Sequence, residues 1–336
     1  METEKLPGQR GIYAISTRRP FAFGRVSVLY EAMAPTGTVV AAKLFKQEPR
    51  TADDKPGASE FFRELEAQTQ LHHPNILPIL DFGSAGPDHE PFVIYPFCQG
   101  GDLRRLMRQR QYIPLHEALP ILEQVAAAID FAHSRGFIHG DVKPENILFM
   151  ANASHACLSD FGMARHFAFT AKVSTVVPDS QGGTSSYLSP EELADGKQSP
   201  RSDLYSFGIV SYQLLTGRLP FEPNAPLFRQ IQAKVEGKLI DPADANPVIT
   251  DSVARALRKV LSVAPLDRPS TASGFCALLR GQPATEVRQT IEETGAQRGL
   301  WSSLDSKSKV GVISAAIAAI AGVVTTLIKM IPEIFE

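Results

Sequence analysis

The sequence predicts an α+β chain in two parts, a small β-rich lobe leading into a larger α-rich one. Three observations carry that expectation. The first hundred residues alternate short β-branched or aromatic runs with turn residues, whereas from about Asp102 the apolar spacing becomes helical. Strands come first and helices after them, which makes two parts with a cleft expected between them. A composition of 43% hydrophobic and 21% charged residues over 336 positions supplies a real core and excludes a disordered or fibrous chain.

In order along the chain, residues 1–11 read as an N-terminal extension. Val26 to Ala32 and Thr38 to Phe45 flank Pro35-Thr-Gly37 and read as a hairpin. One helix interrupts the strands: Ser59 suits an N-cap, Phe61, Phe62 and Leu65 begin an apolar stripe that reaches Leu71, and His73-Pro74 stops it. Ile76 to Leu80 and Phe92 to Tyr95 read as further strands, with Asp81-Phe-Gly83 as a turn between them. Ile121, Leu122, Val125 and Ile129 mark a long helix ahead of His133. A second long helix starts near Asp203 and runs through Ile209 and Leu214, and residues 281–309 are polar and aperiodic, as a linker is.

The tail departs from everything before it. Val310 to Ile328 carries no charge and is bracketed by Lys307, Lys309 and Lys329. As a helix it spans about 28 Å, close to a bilayer's hydrocarbon thickness, so a transmembrane helix over 310–328 with a short tail at 329–336 is expected. Only nine of these residues are Val, Ile or Leu, which leaves a buried or interfacial helix as the alternative. Gly311, Ala315 and Ala319 lie four apart and would let two such helices approach closely, so a homodimer is compatible with the tail. The lysines on the linker side favour a cytoplasmic position for the preceding residues, that is, a single-pass cell-membrane protein. The start carries no apolar run after its charges and only eight residues follow Ile328, so neither a secretory signal nor an extracellular sensor domain is expected. A formal charge of −2 gives no field for nucleic acid, so no nucleic-acid partner is expected, and three widely spaced cysteines suit a reducing compartment.

The densest chemistry is His139-Gly-Asp141-Val-Lys143-Pro-Glu-Asn146, followed nineteen positions after Asp141 by Asp160-Phe161-Gly162. An acid, a base and an amide fall within six residues on a loop, and Pro144 excludes a helix across it. Asp160 follows the apolar Cys157-Leu158 and could hold a divalent cation, since Mg²⁺ favours one or two carboxylates together with phosphate oxygens. The eight histidines contain no His-x-x-x-His pair, so a zinc hydrolase has no support. His72 and His73 read as helix-ending residues.

Order and spacing make residues 12–280 resemble the eukaryotic-like serine/threonine protein kinases, particularly the bacterial membrane-anchored ones. The likeness rests on Val40-Ala41-Ala42-Lys43, then Glu64 nine residues before His73-Pro74-Asn75-Ile76, then the Asp141 loop and Asp160-Phe161-Gly162. Gly183-Thr184-Ser-Ser-Tyr-Leu-Ser-Pro190-Glu191, Asp203-Leu-Tyr-Ser-Phe-Gly208 and Arg268-Pro-Ser270 complete it. It implies a bilobal protein-kinase-like fold with an N-lobe at 12–95 and a C-lobe at 99–280, using ATP and Mg²⁺, with Mn²⁺ as the alternative ion, to phosphorylate Ser or Thr of protein substrates. By the same resemblance Lys43 binds the α- and β-phosphates and pairs with Glu64, Asp141 accepts the hydroxyl proton, Lys143 marks a Ser/Thr-directed loop, and Asn146 and Asp160 hold the metal. Tyr95 would stand beside the adenine pocket, Pro96-Phe97-Cys98 would be the hinge, Asp102 would lie near the ribose, and Leu29, Ala41 and Leu148 would line the pocket. Thr184 would brace Asp141 and Lys143, Glu191 would pair with Arg268, Asp203 would cap the His139 loop, and His139 would pack near Asp160-Phe161 as a structural residue.

Three departures stand out. The phosphate-covering loop reads Ala22-Phe-Gly24-Arg-Val-Ser27, with only the middle glycine of the family pattern, which predicts weakened ATP affinity. Gly140 replaces an arginine that would receive an activation-segment phosphate. Pro96 offers no N–H. Ala22, Ser27 and Pro96 support the alternative of a nucleotide-binding pseudokinase scaffold. A small-molecule phosphotransferase is disfavoured by the segment from Thr184 to Glu191.

Overall fold

Val40, Ala42 and Leu44 alternate along one strand with Ala41, Lys43 and Phe45, so two different faces must each find cover. The computed structural model, which describes residues 3–23, 27–45, 62, 65–86, 90–151, 154–161, 184–196, 198–222 and 225–282, provides both covers. The chain divides into two compact units, one formed by Met1–Arg110 with Leu115–Val173 and the other by Gln111–Pro114 with Ser174–Glu336.

The first unit is built on a six-stranded sheet. Its strands are β1 (Thr3–Pro7), β2 (Ile12–Phe23), β3 (Ser27–Met33), β4 (Val39–Phe45), β5 (Asp81–Ala85) and β6 (Glu90–Pro96), in the order β1-β2-β3-β4-β6-β5. The expected hairpin is β3–β4, closed by Gly37 at φ 81° with its N–H on Ala34 O. Val40, Ala42 and Leu44 join Leu6, Tyr13, Ile15, Phe92 and Ile94 in one core. Ala41 and Phe45 join Leu65, Leu77, Phe82, Val93 and Tyr95 in another.

Three expectations change here. Residues 3–7, read as part of an extension, form a strand of the sheet, with Leu6 fully buried. Ile76 to Leu80 is not a strand: it makes a single bridge, Ile76 to Leu158, and the strand begins one step later. Asp81-Phe-Gly83, read as a turn, therefore lies within β5. The reason is a distant partner. The buried Asp81 carboxylate accepts from the backbone N–H groups of Gln9 (3.0 Å), Arg10 (2.8 Å) and Phe82 (2.9 Å), and Gly83 bridges Gly8 so closely that a Cβ would sit 2.6 Å from Pro7 O. The sheet thus curls until β1 meets β5. Burial, reinforced by the hydrogen bond to Asp81, pushes the Tyr13 hydroxyl up to about 12. The helical turn over 65–68 ends well before His73.

Below the sheet, β7 (Gly101–Asp102), β8 (Ile147–Phe149) and β9 (Ala156–Leu158) form a small antiparallel sheet beside α1 (Leu103–Arg108) and α2 (Leu115–Ser134). The predicted stripe Ile121, Leu122, Val125 and Ile129 is the buried face of α2. Pro144, expected to exclude helix, instead opens a 3₁₀ turn over Pro144–Asn146, where its missing N–H costs nothing.

The second unit holds α3 (Pro190–Asp195), α4 (Pro200–Thr216), α5 (Leu227–Glu236), α6 (Pro242–Ala245), α7 (Asp251–Val260) and α8 (Ala272–Leu279). Both α3 and α4 begin with a capping box and a proline at the first turn, and both end on a left-handed glycine, Gly196 and Gly217. The helix α4 is buried on nearly every side, and Gly208 lets Val260 of α7 approach to where a Cβ would stand at 2.6 Å.

Asp81→Ala leaves three backbone donors of the β1 junction without their acceptor. It is expected to lower unfolding stability by about 2–4 kcal/mol in urea denaturation.

Candidate active site

Two short strands bring the catalytic candidates together. Ile147 pairs with Leu158 at the end of the β8–β9 ladder, and the pairing continues one step further: Ser159 donates to Asn146 O from its N–H (2.9 Å) and its hydroxyl (3.2 Å). Asn146 and the residue before Asp160 are therefore side by side. His139 reaches the same place: its Nε2 lies 2.8 Å from Ser159 O and its Nδ1 accepts from Asp141 N at 3.1 Å. A carbonyl on one nitrogen and an N–H on the other select the neutral Nε2–H tautomer, so His139 is a strut and not a base. Its ring packs 4.6 Å from that of the buried Phe161.

Asp141 is oriented by its neighbours. Its Oδ2 accepts from Lys143 Nζ (2.7 Å) and Asn146 Nδ2 (3.0 Å), while its Oδ1 has no hydrogen-bond partner among the described residues. One oxygen of the carboxylate is thus fastened, and the other is the end with acceptor capacity to spare. Asn146 Nδ2 also donates to Asp141 O at 2.8 Å, so its amide nitrogen is committed and its carbonyl oxygen is the end that could meet a cation.

Asp160 is the one non-glycine residue at positive φ among those described, at 63°. That left-handed backbone sets its carboxylate on Lys43, with Oδ1 2.7 Å from Nζ, while Lys43 Nζ stands 5.5 Å from the Phe45 ring centre. An Asp carboxylate beside an Asn carbonyl is an all-oxygen donor set that suits Mg²⁺ when phosphate oxygens complete it. Among the described residues no group of three or more His, Cys, Asp or Glu could hold a metal alone. A small cavity behind Asp160 and Phe161 is lined by Gln68, Leu71, Ile76 and Tyr95.

Among the residues expected to line an adenine pocket, Ala41 pairs with Tyr95 in register, and Phe97, Cys98 and Leu148 pack against their cluster. Leu29 pairs with Lys43 from the half-buried side of β3. Burial holds the Tyr95 hydroxyl well above its ordinary range, with the Asp160 charge adding to it. Burial, and then Cys157, push the Cys98 thiol up to about 11. Asp102 caps α1 by accepting from Arg105 N at 2.6 Å. Gly140 sits at φ 72°, a conformation that suits glycine and strains an arginine. Gly24 and Glu64 lie outside the described residues, as do residues 162–183; Thr184 opens the 3₁₀ turn Thr184–Ser186.

The comparisons with known proteins fall on this same stretch. The family model for the protein kinase domain matches residues 19–278. The chain belongs to the protein kinase family. It is similar to the serine/threonine-protein kinase PknL of Mycobacterium tuberculosis, 36% identical over 207 residues that cover 61% of this chain and 50% of PknL. It is similar as well to the serine/threonine-protein kinase PrkC of Bacillus subtilis, 32% identical over 265 residues covering 76% and 38% of the two chains. The chain thus matches half or less of these curated relatives' length. Among solved structures, the kinase domain of PknI from Mycobacterium tuberculosis superposes with a TM-score of 0.61 at 25% identity, covering 80% of this chain and 96% of that one. The kinase-like fold, with a β-rich N-lobe and a helical C-lobe, is thereby established.

Within this kinase domain the second unit carries the predicted Glu191–Arg268 pair as a bidentate contact of 2.6 and 2.8 Å, with Arg268 fully enclosed and also donating to Ser262 O, Val263 O and Arg201 O. Asp203 is buried early in α4. Two residues went unread in the sequence. Gln68, four positions after Glu64 in the sequence, donates to Phe161 O at 2.7 Å, and Phe21 meets Phe97 edge to face at 5.6 Å. The spacing of four from Glu64 was the available signal for Gln68; nothing local marked Phe21.

Arg268→Met strands the Glu191 carboxylate in the core of the second unit. A loss of about 3–5 kcal/mol in unfolding free energy is expected, read by chemical denaturation.

Proposed function

We propose that this chain is an ATP- and Mg²⁺-dependent serine/threonine protein kinase that works on protein substrates and is anchored to the cell membrane through residues 310–328. The observation that carries the catalytic part is Asp141: a partly buried carboxylate with one oxygen fastened by Lys143 and Asn146 and the other without a partner among the described residues. That oxygen accepts the proton of an incoming Ser or Thr hydroxyl, while Lys143 stays beside it to offset charge on the transferred group. Lys43, steered by Asp160, meets the phosphates, and Glu64 is the residue that would compete for it. Asp160 and Asn146 would hold Mg²⁺ (or Mn²⁺), which when bound neutralises phosphate charge. Ala41, Leu29, Tyr95 and Leu148 enclose the base, and the Phe97–Cys98 hinge borders it. Residues 184–190 receive the peptide, braced on the large lobe through Glu191 and Arg268.

The membrane part is supported by nineteen uncharged residues between lysines, a segment outside the described residues. It implies a cytoplasmic kinase domain, and the small residues 311, 315 and 319 suit a homodimer through the tail. Recovery of the full chain in the detergent-free soluble fraction overturns this part; retention in washed membranes supports it.

Incubation with labelled ATP, Mg²⁺ and a generic protein substrate tests the activity. Asp141→Asn is expected to lower kcat by about 10³-fold, and incorporation that survives in this variant would trace to a contaminant. A wild-type chain that binds nucleotide yet transfers nothing would favour the scaffold reading instead. Because Gly140 offers no guanidinium, replacing Thr170, Ser174, Thr175 and Ser180 with alanine together is expected to leave kcat within about twofold. Abolished activity would refute that independence.

A further inference from the structure

Lys234 is a buried cation that the catalytic account does not use. It lies on α5 with 1% exposure, and its Nζ donates to Ser185 O at 3.1 Å and Leu188 O at 2.6 Å. The rings of Tyr205 and Phe221 stand 5.9 and 5.4 Å away. Enclosing an ammonium is costly, and a methionine would fill the same space without that cost. What the ammonium provides is a hold on two carbonyls three residues apart in one short run. Further contacts fasten the same run: Ser186 Oγ donates to Gln230 Oε1 of α5 at 3.0 Å, Tyr187 Oη to Gln213 Oε1 at 2.7 Å, and Ser206 Oγ to Tyr187 O at 2.9 Å.

We propose that Lys234 is a positioning residue for substrate docking: it fixes residues 184–190 in the shape that receives a Ser- or Thr-bearing peptide, and so sets peptide affinity rather than nucleotide affinity. The inference rests on reading that run as the docking segment. It has a pH signature. Burial pulls the Lys234 ammonium down to about 7, opposed by Glu192. The titratable groups that face it are Glu192 on α3 and Tyr205 on α4; Asp203 and Glu191 act in turn on Glu192, and the Arg268 guanidinium lies 4.8 Å from the Tyr205 ring centre. Burial raises Glu192, and Tyr205 is held far above neutrality, so the lysine is the group whose proton loss near neutral pH changes the hold on the two carbonyls. As pH rises through 7, charge-assisted bonds become weaker neutral ones.

The test is steady-state kinetics of the full chain on a pool of Ser- and Thr-centred peptides lacking histidine, for wild type, Lys234→Met and Lys234→Arg, at pH 6.5 and 8.5. Lys234→Met is expected to raise the peptide KM at pH 6.5 by at least about fivefold while the KM for ATP moves by less than about twofold. The wild-type peptide KM rises from pH 6.5 to 8.5, and that rise is missing in Lys234→Arg, whose charge persists. An unchanged peptide KM in a folded Lys234→Met protein, or an equal change in both KM values, overturns the inference and leaves the docking reading standing. Should Lys234→Met not fold, a wild-type peptide KM flat over this range overturns it alone. A wild type that binds ATP but phosphorylates none of the peptides removes the docking reading, and the inference falls with it.

Discussion

Ser159 is held from both ends, and the geometry of the site follows from that. Its N–H and hydroxyl both end on Asn146 O, and its own carbonyl receives His139. Three stretches of chain, the His139 corner, the Asn146 turn and the entry to Asp160, are thereby locked at one residue. None of these bonds is charged, and each alone is worth about 1 kcal/mol. Their common value is positional, because they fix where the carboxylates of Asp141 and Asp160 point.

Around that joint, local rules are broken in two places. Asp160 adopts a left-handed backbone, and Asp141 keeps a buried oxygen without a donor among the described residues. Each costs on the order of 1–3 kcal/mol, and each persists because the surrounding hydrogen bonds over-determine it. Helix ends in the second unit follow local chemistry, with capping boxes on α3 and α4 and glycine where each helix must end, while Tyr205 Oη and Arg218 Nε are also buried without a partner among the described residues.

Much of the fold was legible in the sequence because its signals are local. The β3–β4 hairpin, the stripe of α2 and the apolar run of β9 each announce themselves within a dozen residues. The misreadings share one cause. Asp81 and Gly83 are turn formers by composition, yet they lie in a strand because residues 8–10, some seventy positions earlier, supply the partners. Ile76 to Leu80 has strand-like side chains, yet it meets β9 at one residue only, the bridge from Ile76 to Leu158. In the site, Asp141, Lys143 and Asn146 converge as a single loop and were readable together. Gln68, Phe21 and Lys234 were not, since their contacts lie 93, 76 and 46 to 49 residues away.

Burial of Cys98 bears on chemical probes. With its thiol held near 11, about one molecule in ten thousand presents the anion at neutral pH. An electrophile brought to Cys98 would therefore meet a sluggish sulfur, whereas the edge-to-face pair of Phe21 and Phe97 offers a reversible ligand an aromatic surface to stack on.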